Sequence, residues 1–211
     1  VTPEAEEVSA TAVILHFNTK EGERVRVAKI EFEGNTVFED GELRDQMRYV
    51  KENGLISGLT SKDIYAREKL EADLEHVRFY YADHGYINMR YGEPIVEEVG
   101  KVGSGIPLIG GKSKGLKITI PVEEGRQYRV GTITVEGETV YPEEVIKRVI
   151  GIEPGEILRS SKIQKGVFEN LKKLYGERGY IQFEPNFNPE LKDDPNDPKT
   201  GVADVTFTLE E

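Results

Sequence analysis

Residues 21–38, EGERVRVAKIEFEGNTVF, return at residues 124–141 as EGRQYRVGTITVEGETVY, with Gly22 over Gly125 and Gly34 over Gly137 and no gap between. A turn dipeptide, an alternating strand and a second turn thus recur in one order. Self-similarity of this kind means one supersecondary unit used more than once. The 211 residues accommodate two such units of about 85 to 100 residues each. Units that small bury a limited core, and a stability of about 5 kcal/mol each is expected.

Three stretches share one apolar face at a period of two, the signature of a half-buried strand. They are Val13, Leu15 and Phe17; Leu116, Ile118, Ile120 and Val122; and Ala203, Val205, Phe207 and Leu209. The first of them either closes an upstream unit or joins the first full unit as an extra strand. Residues 1–9 are polar and acidic without a period and are expected to be a poorly ordered leader or a remnant of an upstream segment. The opening VTPEAEE reads as a cut inside a longer protein.

After each joint Ala28, Ile30 and Phe32, or Ile133 and Val135, are expected to face a core. Gly34 and Gly137 then supply tight turns, where a positive φ is tolerated. A short helix follows, over residues 142–149 in the second copy with Gly151 as its stop, and around Leu43, Met47 and Val50 in the first. A longer helix carries Leu70, Leu74, Val77 and Tyr81 in the first copy, and Ile163, Val167, Leu171 and Leu174 in the second. Both helices end alike, YADHGYI and YGERGYI, with Gly85 and Gly179 placed as left-handed stops. The first copy has nine more residues between its helices, around KENGLISGLTSKD. A strand, a loop and the strand leading to the joint complete each unit. The expected class is α+β: tandem β-α-α-β-β repeats, each a three-stranded mixed sheet covered on one face by two helices.

Chemistry is scarce. Absence of cysteine removes disulfides, thiolate metal sites and cysteine nucleophiles. A net charge of −11 argues against nucleic acid, which demands clustered Lys and Arg, and against electrostatic docking on anionic lipid. No apolar run approaches the ~18 residues of a membrane helix, and no signal peptide is visible. GIPLIGGKS at residues 105–113 nearly matches a phosphate-binding loop, but Ile106 stands where glycine is needed and a strand follows instead of a helix. Asp193, Asp194, Asn196 and Asp197 are interrupted by Pro195 and Pro198, which suits a solvated loop better than a calcium loop. His16, His76 and His84 lack metal-ligand spacing. The tyrosines at the helix stops, Tyr80, Tyr81, Tyr86, Tyr175 and Tyr180, are expected to seal core edges. No catalytic, cofactor-binding or metal-binding residue emerges. What remains is backbone: the strand after each long helix is a candidate sheet edge, open to an extended peptide.

The order of elements, the joint VEEGRQYRVGTITVEG and the GYI turn resemble polypeptide-transport-associated (POTRA) repeats, which stand in tandem before the membrane barrel of BamA-like outer-membrane assembly proteins. The marks are Glu124-Gly125, the Arg129-Val130-Gly131 step, Ile133, Gly137 and Gly179-Tyr180-Ile181; the first copy keeps Glu21-Gly22, Val27, Ile30, Gly34-Asn35 and Gly85-Tyr86-Ile87. It departs at Ala28, in place of Gly131, and by its insertion. The resemblance implies a leader and last strand of a preceding repeat at 1–24, one repeat at 25–124 and another at 125–211. It implies a non-enzymatic periplasmic scaffold in an outer-membrane protein, without cofactor. Its implied partners are unfolded outer-membrane β-barrel precursors, accessory lipoprotein subunits and a C-terminal membrane barrel of the same polypeptide. The alternatives that the resemblance leaves are the repeat region of a two-partner secretion or TamA-like transporter and, from another class, an envelope or septal structural protein with such repeats. Strand addition, carried over, points to Ile87, Asn88, Met89, Arg90 and Tyr91 and to Ile181, Gln182, Phe183 and Glu184. The hinge between repeats would be Glu123, Glu124, Gly125 and Arg126, too short a link for free tumbling.

Overall fold

The computed structural model describes residues 25–103, 111–137 and 140–210 in full and the backbone of 2–9 and 12–18. Two strands, β1 (Thr2–Ser9) and β2 (Ala12–Asn18), open the chain as an antiparallel pair. The acidic leader is therefore a strand. Its partner lies in the neighbouring segment, and backbone pairing needs no apolar period of its own.

The first unit begins with β3 (Val25–Glu33), followed by α1 (Asp40–Gln46), α2 (Leu55–Thr60) and α3 (Arg67–Asp83). It closes with β4 (Arg90–Tyr91), β5 (Ile95–Val102) and β6 (Ser113–Glu123). β6 is central: β3 runs parallel to it on one side, while β4 and β5 lie antiparallel on the other, one after the other. The second unit has β7 (Gln127–Glu136), α4 (Glu143–Ile150), a long helix α5 (160–176), β8 (Glu184–Asp193) and β9 (Thr200–Glu210), in sheet order β7-β9-β8. Mixed sheets with helices on one face are thus present twice, and each unit has its own apolar core. The nine-residue insertion forms α2, whose Leu55, Ile56 and Leu59 stay exposed.

Both first strands carry a bulge, and it corrects the expected face. Register slips after Val27 in β3 and after Val130 in β7. Val27, Ile30 and Phe32 are buried, whereas Ala28 lies at the bulge. An added residue shifts the period of two, so the residue before the bulge takes the core side. The bulge also explains the Ala28/Gly131 departure. A Cβ on Gly131 would fall 2.5 Å from Val202 Cγ1 and on top of the Asp204 carboxylate. In the first unit the glycine has changed strands: Gly115 stands where Val202 does, and Ala28 packs 3.4 Å from its would-be Cβ.

The long helices differ in pitch. In α3 the buried Leu70, Leu74, Val77 and Tyr81 suit ordinary turns of 3.6 residues. In the second unit Ile163, Val167, Leu171 and Tyr175 are buried, each four residues after the last. One face kept at that spacing needs a wider helix, and α5 supplies it. It runs from Ser160–Ile163 through a π-helical Gln164–Leu171 to Lys172–Gly176. The core stripe therefore ends on Tyr175, with Leu174 only half-buried at its margin.

Candidate functional site: the joint and the sheet edges

The joint is tied down. Glu124 reaches back into the first unit, where its carboxylate accepts the Thr36 hydroxyl at 2.5 Å, the Val37 amide at 2.9 Å and the Tyr81 hydroxyl at 2.8 Å. Burial opposes its charge, but the bonds from Thr36, Val37 and Tyr81 outweigh that and hold its carboxyl below the usual range. Burial, then the bond to Glu124, pushes the Tyr81 hydroxyl well up. A carboxyl depressed by folding contributes fully above its unfolded pKa and loses that contribution as pH falls through the folded value. Acidification below the ordinary carboxylate range is therefore expected to lower the protection of the Val37 amide, its exchange taken relative to the intrinsic rate at each pH. Glu124→Ala should cost about 2 kcal/mol for the bonds lost and abolish that pH dependence; amide exchange against pH measures both.

Beyond Glu124 the end of α3 docks on the second unit. The Tyr128 amide donates to the Gly85 carbonyl at 2.9 Å and the Gln127 side chain to the His84 carbonyl at 3.0 Å. Asp83 caps the start of α5 by accepting the Ser161 amide at 2.9 Å. Ile87 packs against the second core. Gly85 has φ +91° and leaves no room for a Cβ, which would meet the Tyr128 carbonyl at 2.9 Å. Of the remaining joint residues, Glu123 ends β6 opposite Arg90, Gly125 has φ +72°, and Arg126 lies 3.2 Å from Asp193. Gly34 and Gly137 share one geometry, φ +95° and +106°, each with a main-chain carbonyl 2.3 Å from its would-be Cβ.

The residues expected on edge strands are mostly elsewhere. Ile87 and Asn88 form a turn at the joint, and Met89 is buried in the first core. Arg90 and Tyr91 make up β4, the Tyr91 hydroxyl 2.7 Å from Glu75. Ile181 and Gln182 form the matching exposed turn, and Phe183 is buried, stacked 3.8 Å from Tyr175. Only Glu184 begins a longer strand. The edge strands lie further on, at β5 and β8. Pro185 and Pro189 sit inside β8, which an edge permits wherever the missing N–H would point outward.

The sheet of each full unit has two edges, and one is covered. Along β3 the Val27 amide donates to Asp63, while the Asn53 and Tyr65 amides donate back to β3 carbonyls. Residues 155–158 cover β7 in the same way. Arg26 and Asp63, both buried, form an ion pair under the β3 cover. Among the described residues no backbone hydrogen bond reaches the outer edge of β5 or β8.

These two open edges are not alike. In an antiparallel pair every second residue turns its N–H away from its neighbour. On β8 those positions are Pro185, Phe187, Pro189, Leu191 and Asp193, of which the last two keep their N–H at the far end of the strand. Two lack an N–H, and the Phe187 amide is taken by its neighbour Asn186 at 2.8 Å. On β5 the corresponding residues, Val96 and Glu98, keep their donors, and Ile95, Val96 and Val99 leave apolar side chains exposed beside them.

Other expected features resolve simply. Tyr81 and Tyr175 are fully buried, and Tyr80, Tyr86 and Tyr180 lean on the two cores. Asp194 and Asp197 accept the amides of Asn196 and Lys199 within their own turn. The phosphate-loop look-alike falls largely in 104–110, outside the described residues. Among the described residues no group of three or more His, Cys, Asp or Glu could hold a metal ion.

Known proteins share this organisation. The family described as "POTRA: Surface antigen variable number repeat" matches residues 25–125 and again 128–211. A putative outer membrane protein assembly factor of Treponema pallidum is 31% identical over 172 residues, covering 81% of this chain and 19% of that protein. The outer membrane protein assembly factor BamA of Neisseria meningitidis is 26% identical over 190 residues, covering 90% and 22%. This chain thus spans about a fifth of the length of those relatives. Among solved structures, Haemophilus influenzae BamA POTRA3-5 superposes with a TM-score of 0.60 at 20% identity, over 88% of this chain and 66% of that one. With two matched copies, two separate cores and the same mixed-sheet units, this chain belongs to the POTRA family.

Proposed function

We propose that this chain is a periplasmic scaffold region of an outer-membrane protein assembly factor. It binds extended segments of unfolded outer-membrane β-barrel precursors, or of accessory subunits, by strand addition. The observation that carries this reading is the open edge of β5, with two outward donors beside exposed apolar side chains. The names of the relatives supply the setting, and the blunted β8 edge directs the reading to the first unit. The β1–β2 pair has the same antiparallel form as β5–β6 and β8–β9, which supports its being the closing pair of a preceding repeat.

Titration with a peptide from the last strand of an outer-membrane barrel tests this. Amide signals of Val96 and Glu98 should move, and those along β8 should not. Val96→Pro removes one outward donor and should weaken binding about five- to tenfold, the equivalent of roughly 1 kcal/mol per backbone bond. Shifts confined to loops, or unchanged affinity in Val96→Pro, would refute strand addition at β5.

A further inference from the structure

The cover over the first strand of each unit is short. Over β7 it ends at Val130, whose amide donates to the Glu156 carbonyl and whose carbonyl accepts the Gly155 amide. Over β3 it ends in the same way at Val27, with Asp63 and Asn53 as partners. Past the bulge the outward residues of β3 are Ile30 and Phe32, and side chains close them. The Ile30 amide donates to Glu52 at 2.8 Å, the Ile30 carbonyl accepts from Arg44 at 3.0 Å, and the Phe32 amide donates to Asp40 at 3.3 Å.

On β7 the same places belong to Ile133 and Val135, and the closing side chains are gone. Gly155 makes the bond to its strand that Asn53 makes, so Pro154 stands where Glu52 does and its ring offers no acceptor. Glu143 and Lys147 hold the places of Asp40 and Arg44, but they bind one another at 2.7 Å. Among the described residues no group bonds the Ile133 amide, the Ile133 carbonyl or the Val135 amide on that side. A groove of about 870 Å³ lies there instead, bordered by Ile133, Lys147, Ile152 and Pro154. Glu144, Arg148 and Glu153 also line it, and none of these three is in an ion pair among the described residues.

We infer that the groove between β7 and α4 is a second peptide site, in which an extended segment of another polypeptide lies along Ile133 to Val135. The guest is recognised by its backbone. Two of its carbonyls take the Ile133 and Val135 amides and one of its amides meets the Ile133 carbonyl, the same set of acceptors and donor that Glu52, Asp40 and Arg44 supply on β3. Residue Ile157 already lies antiparallel to β7 at Arg129, so the guest extends a row that the chain itself begins. Free charges of both signs on the rim leave guest side chains weakly selected. The second unit, blunted at β8, is thus armed at its first strand. This site is separate from the β5 edge, and either assignment can fail without the other.

The test follows backbone amides of the Val96→Pro chain during titration with a peptide from the last strand of an outer-membrane barrel. Signals of Ile133 and Val135 should move, and at saturation their exchange should slow at least about tenfold. Because each amide reports by itself, the outcome at β7 is read independently of the outcome at β5. Pro154→Glu puts back the missing acceptor. In the free chain it should slow exchange of the Ile133 amide, and it should weaken peptide binding at β7 about five- to tenfold, as expected for one backbone bond taken from the guest. Its melting temperature should not fall, which separates a closed groove from a damaged unit. Glu52→Ala is the converse and should speed exchange of the Ile30 amide. Unmoved Ile133 and Val135 signals at millimolar peptide, or equal binding by Pro154→Glu, overturn the assignment. An Ile133 amide already protected in the free chain shows an edge closed from within and overturns it as well. Shifts that follow protein concentration without peptide assign the groove to a second copy, with the same consequence.

Discussion

Asp73→Ala is expected to lower the stability of the first unit by about 4 kcal/mol, most of what a unit of this size possesses. Asp73 is fully buried in the middle of α3, where a carboxylate is costly unless its oxygens are satisfied. They are: the Arg48 amide donates at 2.5 Å, the Tyr49 amide at 3.0 and 3.1 Å, and the Val50 amide at 2.7 Å. These amides follow the end of α1, and no further helical turn takes them up. Alanine would remove the acceptor and strand three donors against the core, at about 1–3 kcal/mol for each group left buried and unpaired. Asp73→Asn keeps one acceptor oxygen and should lose about half as much. Urea unfolding followed by far-UV circular dichroism, with amide exchange to locate the loss, measures this. Slowly exchanging second-unit amides should be unaffected, and a loss under about 1 kcal/mol would show that these bonds are replaced by water.

Gly166→Ala should destabilise the second unit by about 3 kcal/mol. Counted back from the shared glycine stop along the two core stripes, Gly166 holds the place of Asp73. Here α5 lies directly on the end of α4, and a Cβ would come 2.1 Å from the Ile150 carbonyl oxygen and 2.8 Å from two further backbone atoms. Main chain cannot step aside as a side-chain tip can, so the helices must part and lose contacts around Ile146, Ile150 and Val167. Gly176→Ala is the control. It lies in the same helix with nothing within 4 Å of its would-be Cβ, and the better helix propensity of alanine should stabilise by up to ~1 kcal/mol. The same change of one methyl group thus has opposite signs ten residues apart. Thermal melts of the two variants compare them directly.

Much of this was legible in the residues. The doubled joint announced two units, and alternation at Leu116, Ile118, Ile120 and Val122 placed a half-buried strand that proves to be the centre of its sheet. The spacing of Leu70, Leu74, Val77 and Tyr81 gave the buried face of α3. Gly85 and Gly179 were found as helix stops because a positive φ leaves few alternatives to glycine. Hidden from the sequence were features that depend on a distant neighbour. Asp73 looks like one more carboxylate on a charged helix until the amides after α1 are brought to it. Gly166 looks like a poor helix former until Ile150 arrives. The edge strands were placed several residues early because nothing local in the residues after each glycine stop shows that the chain first turns, at 87–88 and at 181–182, before it pairs.

The sequence by itself determined the kind of unit, its number of complete copies and the places where the backbone must turn, because periodicity and glycine act over a few residues. Tertiary structure alone decided which sheet edge is armed, since that depends on which N–H groups face outward and which neighbours take them. It alone turned Glu124 from a hinge residue into a latch, because the groups it accepts from, Thr36, Val37 and Tyr81, lie far from it along the chain.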